Sequence, residues 1–278
     1  MASHRQDDRL APLVSAEGAG LASDLIRHIR AGELVYGTFL GMGSPVAAEI
    51  ASRAGFDWVI IDLEHGAGGE ADLLALLHAT AAGGSAAPLV RVESAARLRM
   101  GRALDLGAAG IMLPRVETAA EARAAIRCLR YPPDGDRGVA LMARAGGYGT
   151  LGHGDVAGIN RRLLGIVQIE SGRAVDEAAG IASEDGADVL FVGPTDLTHA
   201  LGVAGEFGDA RYGDALDRVV AACEEAGKCA GILARNIDEA RGYVERGFRF
   251  VGVGSDAALL AAGTRRLAAD LQSLGAAV

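Results

Sequence analysis

One lysine, one tryptophan and three cysteines in 278 residues are the first facts about this chain. With Lys228 the only lysine, any Schiff-base chemistry has to run through that one amine. Cys128, Cys223 and Cys229 are odd in number and lack CxxC spacing, which excludes a disulfide framework and a zinc site. Each lies in an apolar segment, where a packed thiol is the expectation, and the set fits a reducing, cytoplasmic setting. Positive charge is also scarce: the formal net charge is -9, so the basic face that nucleic acid requires is missing. No apolar run approaches the roughly 18 residues of a membrane span. Residues 1–20, MASHRQDDRLAPLVSAEGAG, lack the apolar core of a signal peptide and read as a mobile arm.

What the chain has is hydrophobic residues, half of the total, arranged in a repeating order. Eight short apolar runs recur: 34–40, 58–62, 88–92, 110–114, 163–170, 188–193, 228–233 and 248–254. Between them lie segments such as SPVAAEIASRAG, TAAEARAAIRCLR and GDALDRVVAACEEAG, apolar at three- and four-residue steps and often closed by glycine. Near-continuous apolar strands belong to a parallel sheet buried on both faces. Eight strand–helix units are the number that closes a (β/α)₈ TIM barrel. A doubly wound sheet is the alternative, but no GxGxxG follows the first strand. The reading is a single barrel domain over 21–278, ending in a helix, with one long Gly- and Pro-rich loop at 131–162.

Barrel catalytic groups sit at the C-terminal ends of strands. There the second run ends WVIIDLEHG, with Asp62, Glu64 and His65; the third holds Arg91; the fifth ends in Gln168 and Glu170; the sixth leads to Asp196. Glu170 and Asp196, from neighbouring strands, suit one oxygen-ligated divalent cation, Mg²⁺ or Mn²⁺. The competing reading is that each carboxylate caps the helix that follows it. Asp62, three residues before His65, and Asp105, on the helix after the third strand, are carboxylates able to orient the imidazole as a general base. Arg91 inside an apolar strand needs an ion pair or an anionic ligand. His4, His28 and His78 read as structural, whereas His153 and His199 lie where they could cover the site.

The segments AEIASRAGFDWVIIDLEHG, LVRV, LDLGAAGIMLPRVETAAEA, RYPPDGDRGVA, RAGGYG, LGIVQIES, VLFVGPTDLTHALG and GILARN occur in this order. Together they resemble the HpcH/HpaI family of class II pyruvate aldolases, over about residues 30 to 265. The resemblance implies metal-dependent, reversible cleavage of a 4-hydroxy-2-oxo acid to pyruvate and an aldehyde through an enolate. It implies Glu170 and Asp196 as ligands of a divalent cation (Mg²⁺ or Mn²⁺, with Co²⁺ a further candidate). It further implies Arg91 at the enolate oxygen, His65 as base with Asp62 and Asp105 orienting it, and the Thr195 and Asp196 amides on the pyruvate carboxylate, with Gln168 beside them. A homo-oligomer, hexamer or trimer, is implied as well. Lys228 begins the seventh strand, the wrong end for an imine. Arg115 stands where these aldolases often have methionine, and the glycine-rich GGYGTLGHG suggests a different lid over the aldehyde. Rival readings are a CoA-ester lyase of the citrate-lyase β type, an oxaloacetate decarboxylase, and a non-catalytic barrel that binds keto acids.

Overall fold

A computed structural model describes residues 16–275. Eight parallel strands close a barrel in sequence order: β1 (Val35–Leu40), β2 (Trp58–Asp62), β3 (Ala87–Arg91), β4 (Gly110–Leu113), β5 (Leu164–Ile169), β6 (Val189–Val192), β7 (Cys229–Ala234) and β8 (Phe250–Ser255). β8 pairs with β1, Val35 opposite Phe250, and completes the (β/α)₈ fold. The intervening helices begin and stop where their ends are chemically satisfied. Ser44 caps the helix Pro45–Arg53 by accepting the Ala47 N–H at 3.3 Å, and Thr118 caps Ala119–Arg127 through the Glu121 N–H. Gly227, left-handed at φ 63°, ends the helix Ala210–Ala226.

Alternation along the strands divides the core in two. Val59 and Ile61 face the helices, whereas Trp58 and Ile60 face the barrel interior with Phe39, Leu89, Met112, Ile166, Phe191 and Phe250. The Trp58 indole stacks on Phe250 with centroids 4.2 Å apart. It occupies the space beside Gly37, where an added Cβ would lie 2.0 Å from the ring. The helix Ala16–Arg30 plugs the N-terminal end of the barrel with Leu25, Ile26 and Ile29. Its first turn falls within the segment read as an arm; the rest of that arm, residues 1–15, lies outside the described residues.

Two elements depart from the expected arrangement. Loop 131–162 packs at the N-terminal end of the barrel: Arg144 donates to the Leu106 carbonyl at 3.2 Å and lies against Gly107. Within one chain it is therefore no lid over the strand ends, and His153 goes with it. The C-terminal helix Asp256–Gly275 has the expected span but stands away from the barrel, with Leu259, Leu260, Leu267, Leu271 and Leu274 each more than half exposed. Among the described residues no helix is long and apolar enough to cross a membrane.

Candidate active site

The register of β2 against β3 sets Asp62 opposite Arg91, so both side chains emerge on one face at the barrel mouth. Arg91 grips Asp62 with both arms of its fork, Nε to Oδ1 at 2.9 Å and Nη2 to Oδ2 at 2.6 Å. Its third nitrogen, Nη1, lies 3.3 Å from Glu64 Oε2, and the guanidinium sits over the Phe39 ring at 5.2 Å. Asp62 Oδ1 also accepts the backbone N–H groups of Glu64 and His65, which turns the chain sharply after the strand. Burial by itself would raise the Asp62 carboxyl, but Arg91 and the two N–H groups outweigh it and hold the group below the usual carboxylate range.

Across the mouth, Glu170 follows β5. Its Oε1 accepts the Arg115 backbone N–H at 2.7 Å and its Oε2 the Gln168 side-chain amide at 3.1 Å. Burial pushes the Glu170 carboxyl up, the Arg115 N–H pulls it down, and the charges of Glu64 and Asp196 push it up again. The charges of Glu64 and Asp196 are thus felt at Glu170. Gln168 Oε1 is buried there without a hydrogen-bond donor, whereas Glu64 Oε2 has the Arg91 guanidinium beside it. The capping alternative fails for Glu170, because Ser171 Oγ caps the next helix by accepting the Ala174 N–H. Asp196 and Thr195 lie exposed in the first turn of the helix Pro194–Ala200, whose cap position is Gly193.

His65 stands at the rim, its side chain 66% exposed, with Glu64 Oε2 3.9 Å from Nε2. Neither expected orienting carboxylate holds the ring: Asp62 is spent on Arg91 and on backbone, reaching His65 only through its N–H. Asp105 ends the helix Arg97–Asp105, which runs back to the start of β4, and there it pairs with Arg137 at 2.7 Å. His199 lies in the last turn of its helix, not in a covering loop. Glu64 stands in the cluster expected after the second strand but carried no assigned role there; its contact with Arg91 supplies one. The Arg115 N–H on Glu170 had no signal in sequence. Cys223 and Cys229 are buried, their thiols pushed up to about 12, mainly by burial, so the expectation of packed thiols holds for these two, whereas Cys128 is half-buried. Lys228 precedes β7 at the opposite end of the barrel and donates to the Glu184 carbonyl at 3.3 Å.

Among the described residues no three His, Cys, Asp or Glu side chains converge as a ready metal cage. The mouth instead offers carboxylates, an unpaired acceptor and a fixed guanidinium, the furniture of a (β/α)₈ enzyme at its usual face. The chain belongs to the HpcH/HpaI aldolase/citrate lyase family, whose model matches residues 35–262. A hydroxypyruvate/pyruvate aldolase of Paraburkholderia phytofirmans is 39% identical over 247 residues, covering 86% of this chain and 94% of the relative. A 5-keto-4-deoxy-D-glucarate aldolase of Salmonella arizonae is 38% identical over 240 residues, covering 86% and 93%. A crystal structure of an aldolase/citrate lyase family protein from Burkholderia cenocepacia J2315 superposes with a TM-score of 0.85 at 39% identity, covering 90% of this chain and 99% of that one.

Proposed function

We infer that this protein is a divalent-metal-dependent pyruvate aldolase, cleaving a 4-hydroxy-2-oxo acid reversibly to pyruvate and an aldehyde. The observation that carries the reading is Glu170, half-buried among the charges of Glu64 and Asp196 and beside the donorless buried Gln168 Oε1. Such a set is costly without a cation and fits a hard, oxygen-ligated one such as Mg²⁺, Mn²⁺ or Co²⁺. Glu170 and Asp196 would hold it, with water and the substrate's oxygens completing its shell. Polarisation of the 2-oxo group, which stabilises negative charge on the three-carbon fragment, is the chemistry a cation supplies there.

The protein's own groups do the remaining work. Arg91, locked by Asp62, presents a pre-oriented guanidinium to the enolate oxygen. The free N–H groups at Thr195 and Asp196 hold the pyruvate carboxylate, with Gln168 beside them. In the cleavage direction His65 takes the proton from the 4-hydroxyl. The C3–C4 bond breaks, its electrons passing to C3 as the enolate, and C4 leaves as the aldehyde carbon. Protonation at C3 then yields pyruvate. An imine route has no amine to use, since Lys228 is at the other end of the barrel.

The working unit in this reading is a homo-oligomer. The C-terminal helix exposes five leucines, and Tyr36, Val46 and Ile50 leave apolar surface bare at β1 and the helix after it. Asp105, 31% exposed at the end remote from its own His65, serves as orienting carboxylate only to the histidine of a second copy. The substrates are small molecules, with no nucleic acid or membrane partner, and the compartment is the cytoplasm.

The test is release of pyruvate from 4-hydroxy-2-oxo acids, followed with and without a chelator. Turnover that needs the cation and vanishes in Glu170→Ala supports the reading. Turnover of CoA esters or of oxaloacetate alone supports the corresponding rival, and binding of pyruvate without any turnover supports the non-catalytic barrel.

A further inference from the structure

The N-terminal end of the barrel carries more positive charge than its neighbours neutralise. A cavity of about 120 Å³ lies there between the helix Ala16–Arg30, the helix Arg97–Asp105 and loop 131–162. Its floor is apolar, with Ala22, Leu104, Ala108, Ile159 and Leu163, and Arg137, Arg144 and Arg162 stand in its wall. No Asp or Glu lines it among the described residues.

Arg137 is 4% exposed, lies over the Tyr131 ring at 4.3 Å and donates to Asp105 at 2.7 Å, yet its Nε has no acceptor. Asp105 is the one carboxylate paired with any of the three arginines among the described residues. Arg144 is half-buried and donates to the Leu106 carbonyl, at the C-terminal end of the helix Arg97–Asp105. A helix end attracts a cation and accounts for that placement, but it offers a fraction of a charge and one acceptor to a fork of several donors. Burial accordingly pulls the Arg144 guanidinium below its ordinary value. Arg162 is half-buried, with no side-chain hydrogen bond or ion pair among the described residues. It shares the space beside Gly158 with the exposed Arg161: a Cβ added there would lie 3.8 Å from Arg162 Nη1 and 3.9 Å from Arg161 Nη2. Like charges gather there against their repulsion.

Such a set around an apolar cavity is costly unless an anion completes it. The volume limits the rest of the ligand, since an apolar cavity of ~150 Å³ takes benzene. We propose that this cavity is a binding site, separate from the barrel mouth, for a small organic anion: a carboxylate on an apolar body the size of one ring. The carboxylate meets the free donors of Arg144 and Arg162, whose planar forks suit it, and the body lies on the apolar floor. The inference is independent of the aldolase reading.

The test titrates three probes into the full chain by calorimetry: benzoate, its neutral counterpart benzamide, and inorganic phosphate, an anion without an apolar body. Benzoate should bind with a Kd of about 1 mM or tighter, and benzamide at least about tenfold more weakly. Arg144→Met and Arg162→Met should each weaken benzoate about tenfold, the size of one charge-assisted contact. Ala108→Leu, which fills the cavity, should abolish its binding. Saturating pyruvate with Mg²⁺ should leave the benzoate Kd unchanged, because the mouth is at the opposite end of the barrel. Should Arg144→Met or Ala108→Leu fail to fold, Arg162→Met decides, since that side chain supports no contact among the described residues. A wild-type Kd above about 10 mM, an affinity indifferent to Arg162→Met, or competition with pyruvate overturns the proposal. Phosphate or benzamide binding as tightly as benzoate overturns the ligand class.

Discussion

Replacing Asp62 by asparagine keeps the size of the side chain and one oxygen for the Glu64 and His65 N–H groups, but strips Arg91 of its main counter-charge. Both partners are buried, Asp62 8% and Arg91 9% exposed. Removing one member of a buried pair typically costs about 3–5 kcal/mol, because the other charge is left in low dielectric. Two features reduce that here: Glu64 remains 3.3 Å from Arg91, and asparagine can still accept from Nε. The expected loss is therefore ~2–3 kcal/mol at pH 7. For a chain of this length that is a fall in Tm of roughly 4–6 °C. Urea denaturation with an unchanged m-value is the cleaner assay. The folded-state pKa of Asp62 is depressed, so its contribution is fully present above the ordinary carboxylate range and is lost as pH falls through the folded value. The gap between wild type and Asp62→Asn should thus be widest near neutrality and close below about pH 4. Adding Arg91→Met to Asp62→Asn should cost less than the sum of the two single changes. A single-variant loss under ~0.5 kcal/mol, or strict additivity in the double variant, would refute the pairing as a main support of the mouth.

Three further outcomes follow from the same geometry. The Glu170 carboxyl is raised by burial and by Glu64 and Asp196, so its charged form is a burden above the folded pKa, and stability falls as pH rises through the interval between the unfolded and folded values. In chelator at pH 7, Glu170→Gln should be as stable as wild type or more so, by up to ~1 kcal/mol, while Mn²⁺ should raise the Tm of wild type only; a destabilised glutamine variant whose Tm also climbs with Mn²⁺ contradicts this. His65→Ala and Asp105→Asn should each be nearly inactive alone, and mixed, re-associated subunits should recover about a quarter of the wild-type sites, since a site needs one intact residue from each copy; no recovery in proven mixed oligomers removes Asp105 from the site. Leu267→Glu with Leu271→Glu should lower the molecular mass measured by light scattering without unfolding the barrel, as both side chains are at least 58% exposed in the single chain. An unchanged mass would show that the C-terminal helix makes no subunit contact.

The barrel was legible because its strands are buried on both faces and so read as uninterrupted apolar runs. The run at 58–62 coincides with β2, and the others differ from their strands by a residue or two at the ends. Glu170 and Arg91 were legible because carboxylates and a guanidinium stand out at the ends of such runs. What Asp62 does was not, since it depends on register: only the Asp62–Arg91 pairing of β2 and β3 shows that the carboxylate is spent on the arginine and not on the imidazole. The distance of Asp105 from the His65 of its own chain was not legible either. Nine helical residues from Arg97 carry it about 12 Å along the helix axis, away from the mouth. The place of loop 131–162 was in fact implied by order alone, because a loop that follows a returning helix and feeds the start of β5 lies at the N-terminal end. The stance of the C-terminal helix has no counterpart in its sequence, whose leucines suit either barrel closure or a neighbouring copy.

In the proposed reaction the mouth makes an enolate from pyruvate with the help of a cation held by Glu170 and Asp196. Proton–deuterium exchange of the pyruvate methyl group, followed by NMR with Mg²⁺ or Mn²⁺ and again in chelator, tests it without any aldehyde. Exchange should require the cation, be abolished in Glu170→Ala and be strongly slowed in Arg91→Met. Folded, cation-loaded protein that leaves the methyl protons in place would contradict it.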